Sequence, residues 1–355
     1  MNLQELFQKT VNGKASDLHL VAGDPPIIRV DGRLNILSGY PTLASREIEE
    51  MAFSILSESQ RQIFLTNRAL DFSYGFGGGD YGQQGRFRIN LYFQRNTIAV
   101  AARLLPASVR SIDQLALPKV LHNLANLRQG FVLVTGPTGH GKSTTIAAIV
   151  NEINMNQALN IITVEDPIEY VYPRGKSLIS QREIGIDSLS WAESLRSALR
   201  EDPDILLIGE MRDPDSIASA ITVAETGHLV FSTLHTNSAA QSVDRMIDSF
   251  PEKQQNQIRT QLSGSLAAIV SQRLIPRIDG GRIVACEILI ANNAVKSNIR
   301  EGKTHLIDSI IETSQDIGMI PLEVTLSTLV KQGIISLEMA KNYVLRPDTF
   351  EQLMA

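Results

Sequence analysis

Hydrophobic positions follow two regimes along this chain. Up to about residue 105 they recur in short, mixed patterns. From about residue 119 they form solid apolar runs separated by helical periodicity. Leu3, Leu6, Phe7 and Val11 share one face of a helix. Asp17-Leu18-His19-Leu20 alternates like a strand. Ile28 and Val30, then Leu34 and Ile36, flank Asp31-Gly32, which predicts a two-residue hairpin turn. Residues 45 to 65 are helical in pattern, and Arg86–Tyr92 and Thr97–Leu105 read as strands. Six glycines between Gly75 and Gly85 predict a surface loop joining two strands. Residues 1–105 are therefore expected to form a small α+β domain, with Pro106–Pro118 as a linker.

Residues 119–355 carry the α/β pattern. Phe131-Val132-Leu133-Val134-Thr135, Asn160-Ile161-Ile162-Thr163-Val164, Ile205-Leu206-Leu207-Ile208 and His228-Leu229-Val230-Phe231 read as buried parallel strands. Trp191, Leu195, Ala198 and Leu199 make a helical face between two of them. After about residue 290 the chain is expected to be mostly helical.

The first of these strands leads into Gly136-Pro137-Thr138-Gly139-His140-Gly141-Lys142-Ser143-Thr144, which fits G-x-x-x-x-G-K-[ST]. A helix-forming run follows. Strand, glycine loop and helix are the context a phosphate-binding loop needs: glycines let the backbone close around phosphates, and the helix N-terminus adds positive potential. Lys142 is expected to reach the β- and γ-phosphates and Ser143 to ligate Mg²⁺.

Three further clusters bear on what is done with the nucleotide. Ile205–Ile208 runs into Gly209-Glu210, an apolar strand ending in an acid, as in a Walker B element; such an acid holds Mg²⁺ or orients water. Glu165, Asp166 and Glu169 gather three carboxylates at the end of a strand. They repel unless a cation or proton sits among them, and a solvated acidic turn is the alternative. His228 and His235 bracket a strand, and His235 at its carboxyl end is placed to sense a γ-phosphate. A zinc site is excluded there because no cysteine or third histidine has suitable spacing. Arg86, Arg88, Arg95 and Arg103 cluster on the last strands of the first domain. They are either a solvated basic face or arginines offered in trans to another copy's phosphate loop.

Composition narrows the class. The chain has 355 residues, 43% hydrophobic and 20% charged, with a formal net charge of −5. That balance gives no electrostatic reason to expect nucleic-acid binding. Cys286 is the single cysteine, so an intrachain disulfide and a tetracysteine zinc module are both impossible. The first residues lack a signal-peptide pattern, and no apolar run approaches 18 residues, so a cytoplasmic protein with no membrane span is expected.

Together Gly136–Thr144, Glu165-Asp166-Pro167-Ile168-Glu169, Leu199–Asp213 and the pair Glu225-Thr226-Gly227-His228 and Thr233-Leu234-His235-Thr236 resemble the Walker A, Asp, Walker B and His boxes of the secretion ATPase superfamily, in that order. Ser16–Leu20, Arg29–Gly32, Arg86–Asn90 and Gln181-Arg182-Glu183 extend the resemblance over the whole chain, most nearly to its pilus-retraction branch. The resemblance implies a RecA-like P-loop ATPase domain preceded by a PAS-like α+β domain, and a homohexameric ring. It implies that ATP and Mg²⁺ are bound by Gly136–Thr144, with Glu165 and His228 at the nucleotide. Glu210, Glu169 and His235 would be catalytic, and Arg88 and Arg103 arginine fingers. The partners implied are an inner-membrane pilus platform protein and, indirectly, pilin, with the ring peripheral at the inner membrane. A pilus-extension or type II secretion ATPase and a RecA-like nucleic-acid translocase are the alternatives; the missing tetracysteine module and the acidic balance weigh against them.

Two positions depart from the family pattern. His140 stands where a small residue is usual and is expected to be tolerated. Ala294–Glu301 resembles a helix tied to retraction, with its middle altered.

Overall fold

A computed structural model describes residues 2–77, 85–106, 108–211 and 213–355. The chain forms two compact units. One is Met1–Ser108 with Asp166–Val171; the other is Val109–Glu165 with Tyr172–Ala355.

The first unit runs α1 (Leu3–Asn12), β1 (Asp17–Leu20), β2 (Ile27–Val30), β3 (Arg33–Ile36), α2 (Ser45–Phe53), α3 (Glu58–Asn67), β4 (Ala69–Phe76), β5 (Gly85–Gln94) and β6 (Thr97–Leu104). Its six strands form one antiparallel sheet in the order β3-β2-β1-β6-β5-β4. The predicted helical face of α1 buries Leu3, Leu6 and Phe7. Phe7 stacks on Phe87 with ring centroids 4.2 Å apart, which ties α1 to the sheet. Asp31 and Gly32 take φ values of 47° and 78°, making the predicted hairpin turn between β2 and β3.

Two expectations change here. The helical stretch at 45–65 is two helices. Ser57 caps α3 reciprocally with Gln60 at 3.0 and 3.3 Å, so a new helix starts where the periodicity alone suggested continuation. The glycine-rich stretch is shorter as a loop than its composition suggests: Gly75 pairs with Arg86 and Phe76 with Gly85 in the β4–β5 ladder. Residues 78–84 of that expected loop lie outside the described residues, as do Ala107 of the expected linker and Arg212 of the Walker B segment.

The second unit runs α4 (Leu121–Leu124), β7 (Gly130–Thr135), α5 (Lys142–Asn156), β8 (Asn160–Glu165), β9 (Leu178–Glu183), α6 (Trp191–Ala198), β10 (Ile205–Ile208), α7 (Pro214–Glu225), β11 (Leu229–Leu234), α8 (Ala239–Asp248), α9 (Glu252–Ser265), β12 (Leu266–Pro276), β13 (Arg282–Ile290), α10 (Asn293–Glu301), α11 (Ile307–Thr313), α12 (Leu322–Lys331), α13 (Leu337–Lys341) and α14 (Pro347–Met354). Its sheet has the order β13-β12-β7-β11-β10-β8-β9, parallel throughout except for the β12–β13 pair. Helices cover both faces. Phe131 and Leu133 of β7 pack into one core and Val132 and Val134 into the other, which is why β7 reads as an unbroken apolar run. Ile112 and Leu117, within the expected linker, are buried in the second of these cores. Parallel strands place all their carboxyl ends on one edge, where open α/β sheets bind ligands.

Candidate nucleotide site

The carboxyl ends of β7, β11, β10 and β8 lie side by side and carry the phosphate loop, His235, Glu210 and Glu165 in turn. β11 separates the loop strand from the Glu210 strand, so its terminal histidine falls between the other two groups.

The loop closes tightly onto β12. Gly136 has φ 142°, and a Cβ there would lie 2.4 Å from the Gln272 carbonyl oxygen, so only glycine fits. Lys142 opens α5 with its side chain 8% exposed. Its ammonium donates to the Gly136 carbonyl at 2.8 Å and the Pro137 carbonyl at 3.2 Å, and lies 3.2 Å from His235 Nδ1. Thr138 Oγ1 is 3.3 Å from the same ring nitrogen. On the other side of the ring, His235 Nε2 is 3.1 Å from Glu210 Oε1. An ammonium can only donate, so His235 Nδ1 accepts and Nε2 carries the hydrogen that Glu210 accepts. Lys142, His235 and Glu210 thus form one polar chain. Gly209, before Glu210, accepts from Thr233 Oγ1 at 2.7 Å, which fixes the end of β10 against β11.

Ser143 and Thr144 follow Lys142 at the helix start, and Ser143 is exposed, its hydroxyl open to a phosphate-bound cation. Glu165 accepts from Thr163 Oγ1 at 2.7 Å and Gln181 Nε2 at 3.2 Å at the end of β8. A cavity of about 290 Å³ opens beside Glu210 and His235, lined also by Arg245 of α8 and by Ser249, which caps that helix. Among the described residues no group of three or more His, Cys, Asp or Glu side chains could hold a metal alone. A cation here would need phosphate oxygens to complete its shell, which suits Mg²⁺ with one hydroxyl and one carboxylate.

Not every expected site residue joins this cluster. His228 precedes β11 and sits at its amino end, with Nδ1 3.0 Å from Thr226 Oγ1 and 3.2 Å from the Val223 carbonyl. The six residues of β11 separate it from His235, about 20 Å at strand rise. Bracketing a strand puts two histidines at opposite ends of it, so within one chain His228 is not brought to the phosphate loop with His235. Glu169 belongs to the first unit, 3.9 Å from Arg88.

Arg88 and Arg103 face each other directly in the β5–β6 register. Each has its own aspartate: Arg88 reaches Asp71 at 2.6 Å and Arg103 reaches Asp17 at 2.9 Å. The Asp71 hydrogen bonds raise the Arg88 pKa above its ordinary value. Arg86 bonds Ser73 on the same strand face.

Sequence reasoning passed over Gln272 and Arg273. Gln272 Nε2 donates to the His140 carbonyl at 2.7 Å, and Arg273 donates to the Asn237 carbonyl and side chain at 2.7 and 3.0 Å. Both are buried on β12. A Gln-Arg pair inside an otherwise apolar strand run was the available signal, since buried polar side chains need partners.

A phosphate loop, a strand-end acid one strand removed from it and a histidine joining them define a phosphate-loop protein of the doubly wound α/β class. Residues 87–317 match the family described as type II/IV secretion system protein, and the chain belongs to that family. It is 43% identical to the type IV pilus retractation ATPase PilT of Pseudomonas aeruginosa, over 99% of this chain and 100% of that protein. It is 44% identical to a twitching motility protein of Neisseria gonorrhoeae, over 92% of this chain and 88% of that one. A crystal structure of the pilus retraction motor PilT with bound ADP superposes with a TM-score of 0.91 at 44% identity, covering 99% of each chain.

Proposed function

We propose that this chain is an ATP-hydrolysing motor that drives type IV pilus retraction and twitching motility, working as a ring of six copies. The observation that carries the reading is the Lys142–His235–Glu210 chain at the carboxyl edge of the sheet. Whole-length similarity to a retraction ATPase supports the direction of work.

Each residue then has a task. Lys142 exchanges its loop carbonyls for β- and γ-phosphate oxygens, which releases His235 Nδ1; in the tautomer with its hydrogen on Nδ1 the ring can donate to the γ-phosphate. Glu210 holds and orients the attacking water. Mg²⁺, held by Ser143 and through water by Glu210, would neutralise charge on the phosphates. Gly136–Thr144 cradle the phosphates with backbone amides, and Glu165 anchors the end of β8 beside them. Arg88 and Arg103 offset transition-state charge in a neighbouring copy's site, and Glu169, 3.9 Å from Arg88, is the acid that accompanies them there.

No helix among the described residues is long and apolar enough to cross a membrane. In this reading contact with the inner membrane runs through a platform protein, through which the ring returns pilin subunits to the bilayer.

The test is phosphate release and nucleotide affinity in two variants. Lys142→Ala should weaken ADP binding, whereas Glu210→Gln should bind normally and lose about 10²- to 10³-fold in turnover. Near-normal turnover in Glu210→Gln would remove Glu210 from the reaction.

A further inference from the structure

β12 outruns its partner. Its parallel pairing with β7 ends at Ser271–Thr135, yet the strand continues to Pro276 with β13 alone alongside. Beyond Thr135 the phosphate loop takes the place of β7. Gln272 Nε2 donates to the His140 carbonyl at 2.7 Å, and the Leu274 backbone N–H donates to His140 Nδ1 at 3.1 Å. The imidazole therefore occupies the acceptor position that a continuing β7 would have supplied. His140 stands between Gly139 and Gly141, whose φ values are +78° and +82°. Glycines cost the most entropy to order, so the crown of this loop has little intrinsic reason to hold one shape.

We propose that His140 is a positioning residue that staples the crown of the phosphate loop to β12, so that the loop is preshaped for a nucleotide diphosphate before one binds. The inference rests on the reading of Gly136–Thr144 as the phosphate site. The staple needs Nδ1 free to accept. Burial, and then the charges of Arg273 on β12, Lys142 on α5 and Arg282 on β13, hold the His140 pKa below the ordinary histidine value, so the neutral ring prevails at neutral pH. Arg282 also reaches toward the Gly139 carbonyl at 3.5 Å, a weaker contact to the same crown. A small side chain at position 140 would leave the Leu274 amide to water. Residue 140 is thus not the indifferent position that the loop pattern suggests.

Asparagine separates positioning from bulk, because its Oδ1 hangs from Cγ as Nδ1 does in histidine. The experiment compares His140→Leu, His140→Ala and His140→Asn with the unmodified chain and with Lys142→Ala. It reads ADP affinity by calorimetry, exchange of the Leu274 amide without nucleotide, and steady-state turnover. His140→Leu and His140→Ala should each weaken ADP about fivefold, the worth of one hydrogen bond. They should also speed Leu274 exchange and raise the ATP concentration needed for half-maximal turnover in step with the weaker ADP binding. His140→Asn should recover both affinity and exchange protection. Unchanged ADP affinity in Leu and Ala, or an Asn variant as weak as they are, overturns the staple while Lys142→Ala still loses ADP. Should Lys142→Ala bind ADP normally, the phosphate-site reading fails and takes the staple with it.

Discussion

His235 and Glu210 are joined through the ring nitrogen that faces away from the phosphate loop: Nε2 lies 3.1 Å from Oε1, while Nδ1 lies 3.2 Å from Lys142 Nζ. One imidazole therefore touches the group expected to bind phosphate and the group expected to handle water. In the proposed reading it reports occupancy of the first to the second. His235→Ala should lower kcat by about 10²-fold, in the range for a lost charge-stabilising or proton-handling group, and leave ADP affinity within about threefold. Phosphate release and ADP titration measure the two. Weakened ADP affinity with kcat unchanged would make His235 a binding residue only.

Arg88 and Arg103 sit opposite one another, each held by an aspartate. In the proposed reading these guanidinium groups are offered to a neighbouring copy's transition state. Mixing Lys142→Ala chains with Arg88→Ala chains, each inactive alone, should partly restore ATP turnover because some interfaces regain both elements. No recovery at any mixing ratio would mean that the arginines serve their own chain.

His122 lies between Glu152, 2.8 Å from Nδ1, and Asp113, 3.3 Å from Nε2. The Glu152 hydrogen bond, with that of Asp113, raises its pKa above 6.5. A raised folded-state pKa contributes stability that is full below 6.5 and is lost as pH rises through the raised value. The Tm difference between the unmodified chain and His122→Gln should therefore be largest near pH 5.5 and shrink toward pH 8.5. Thermal melts across that range check it, and a gap that is constant or widens with pH contradicts it.

α10 follows all the nucleotide boxes. It buries Val295 and Ile299, and its last residue Glu301 is already engaged by Lys303 at 2.8 Å and Ser297 at 2.9 Å. Glu301 is thus less available to a partner than Arg300. Arg300 is exposed. Arg300→Ala should leave ATP turnover within about threefold while abolishing twitching. Collapse of turnover would move α10 into the hydrolytic machinery, and unchanged motility would make Arg300 a solvated side chain.

The parts of this fold that were legible in sequence share a cause. Unbroken apolar runs such as Phe131–Val134 are forced by burial on both faces of a parallel sheet, and the loop motif by the geometry of phosphate binding. Strand direction was legible as well: it put His235 at the carboxyl end of its strand, and His228 lies at the amino end of β11. The role of β12 was hidden because Gln272–His140 and Leu274–His140 span more than 130 positions of chain and depend on where β7 stops. Local capping was legible but outweighed: Ser57-x-x-Gln60 is a helix-start pattern, and its exchange overrides a helical periodicity that continues across it.

The central claim, a retraction motor powered at Lys142 and Glu210, is tested most directly in cells carrying Glu210→Gln in place of the native chain. Surface pili are counted by electron microscopy, and twitching is scored on the same strain. A retraction motor without turnover predicts more surface pili than in the unmodified strain and no twitching. Bald cells would mean that the chain drives extension, and the account would be wrong.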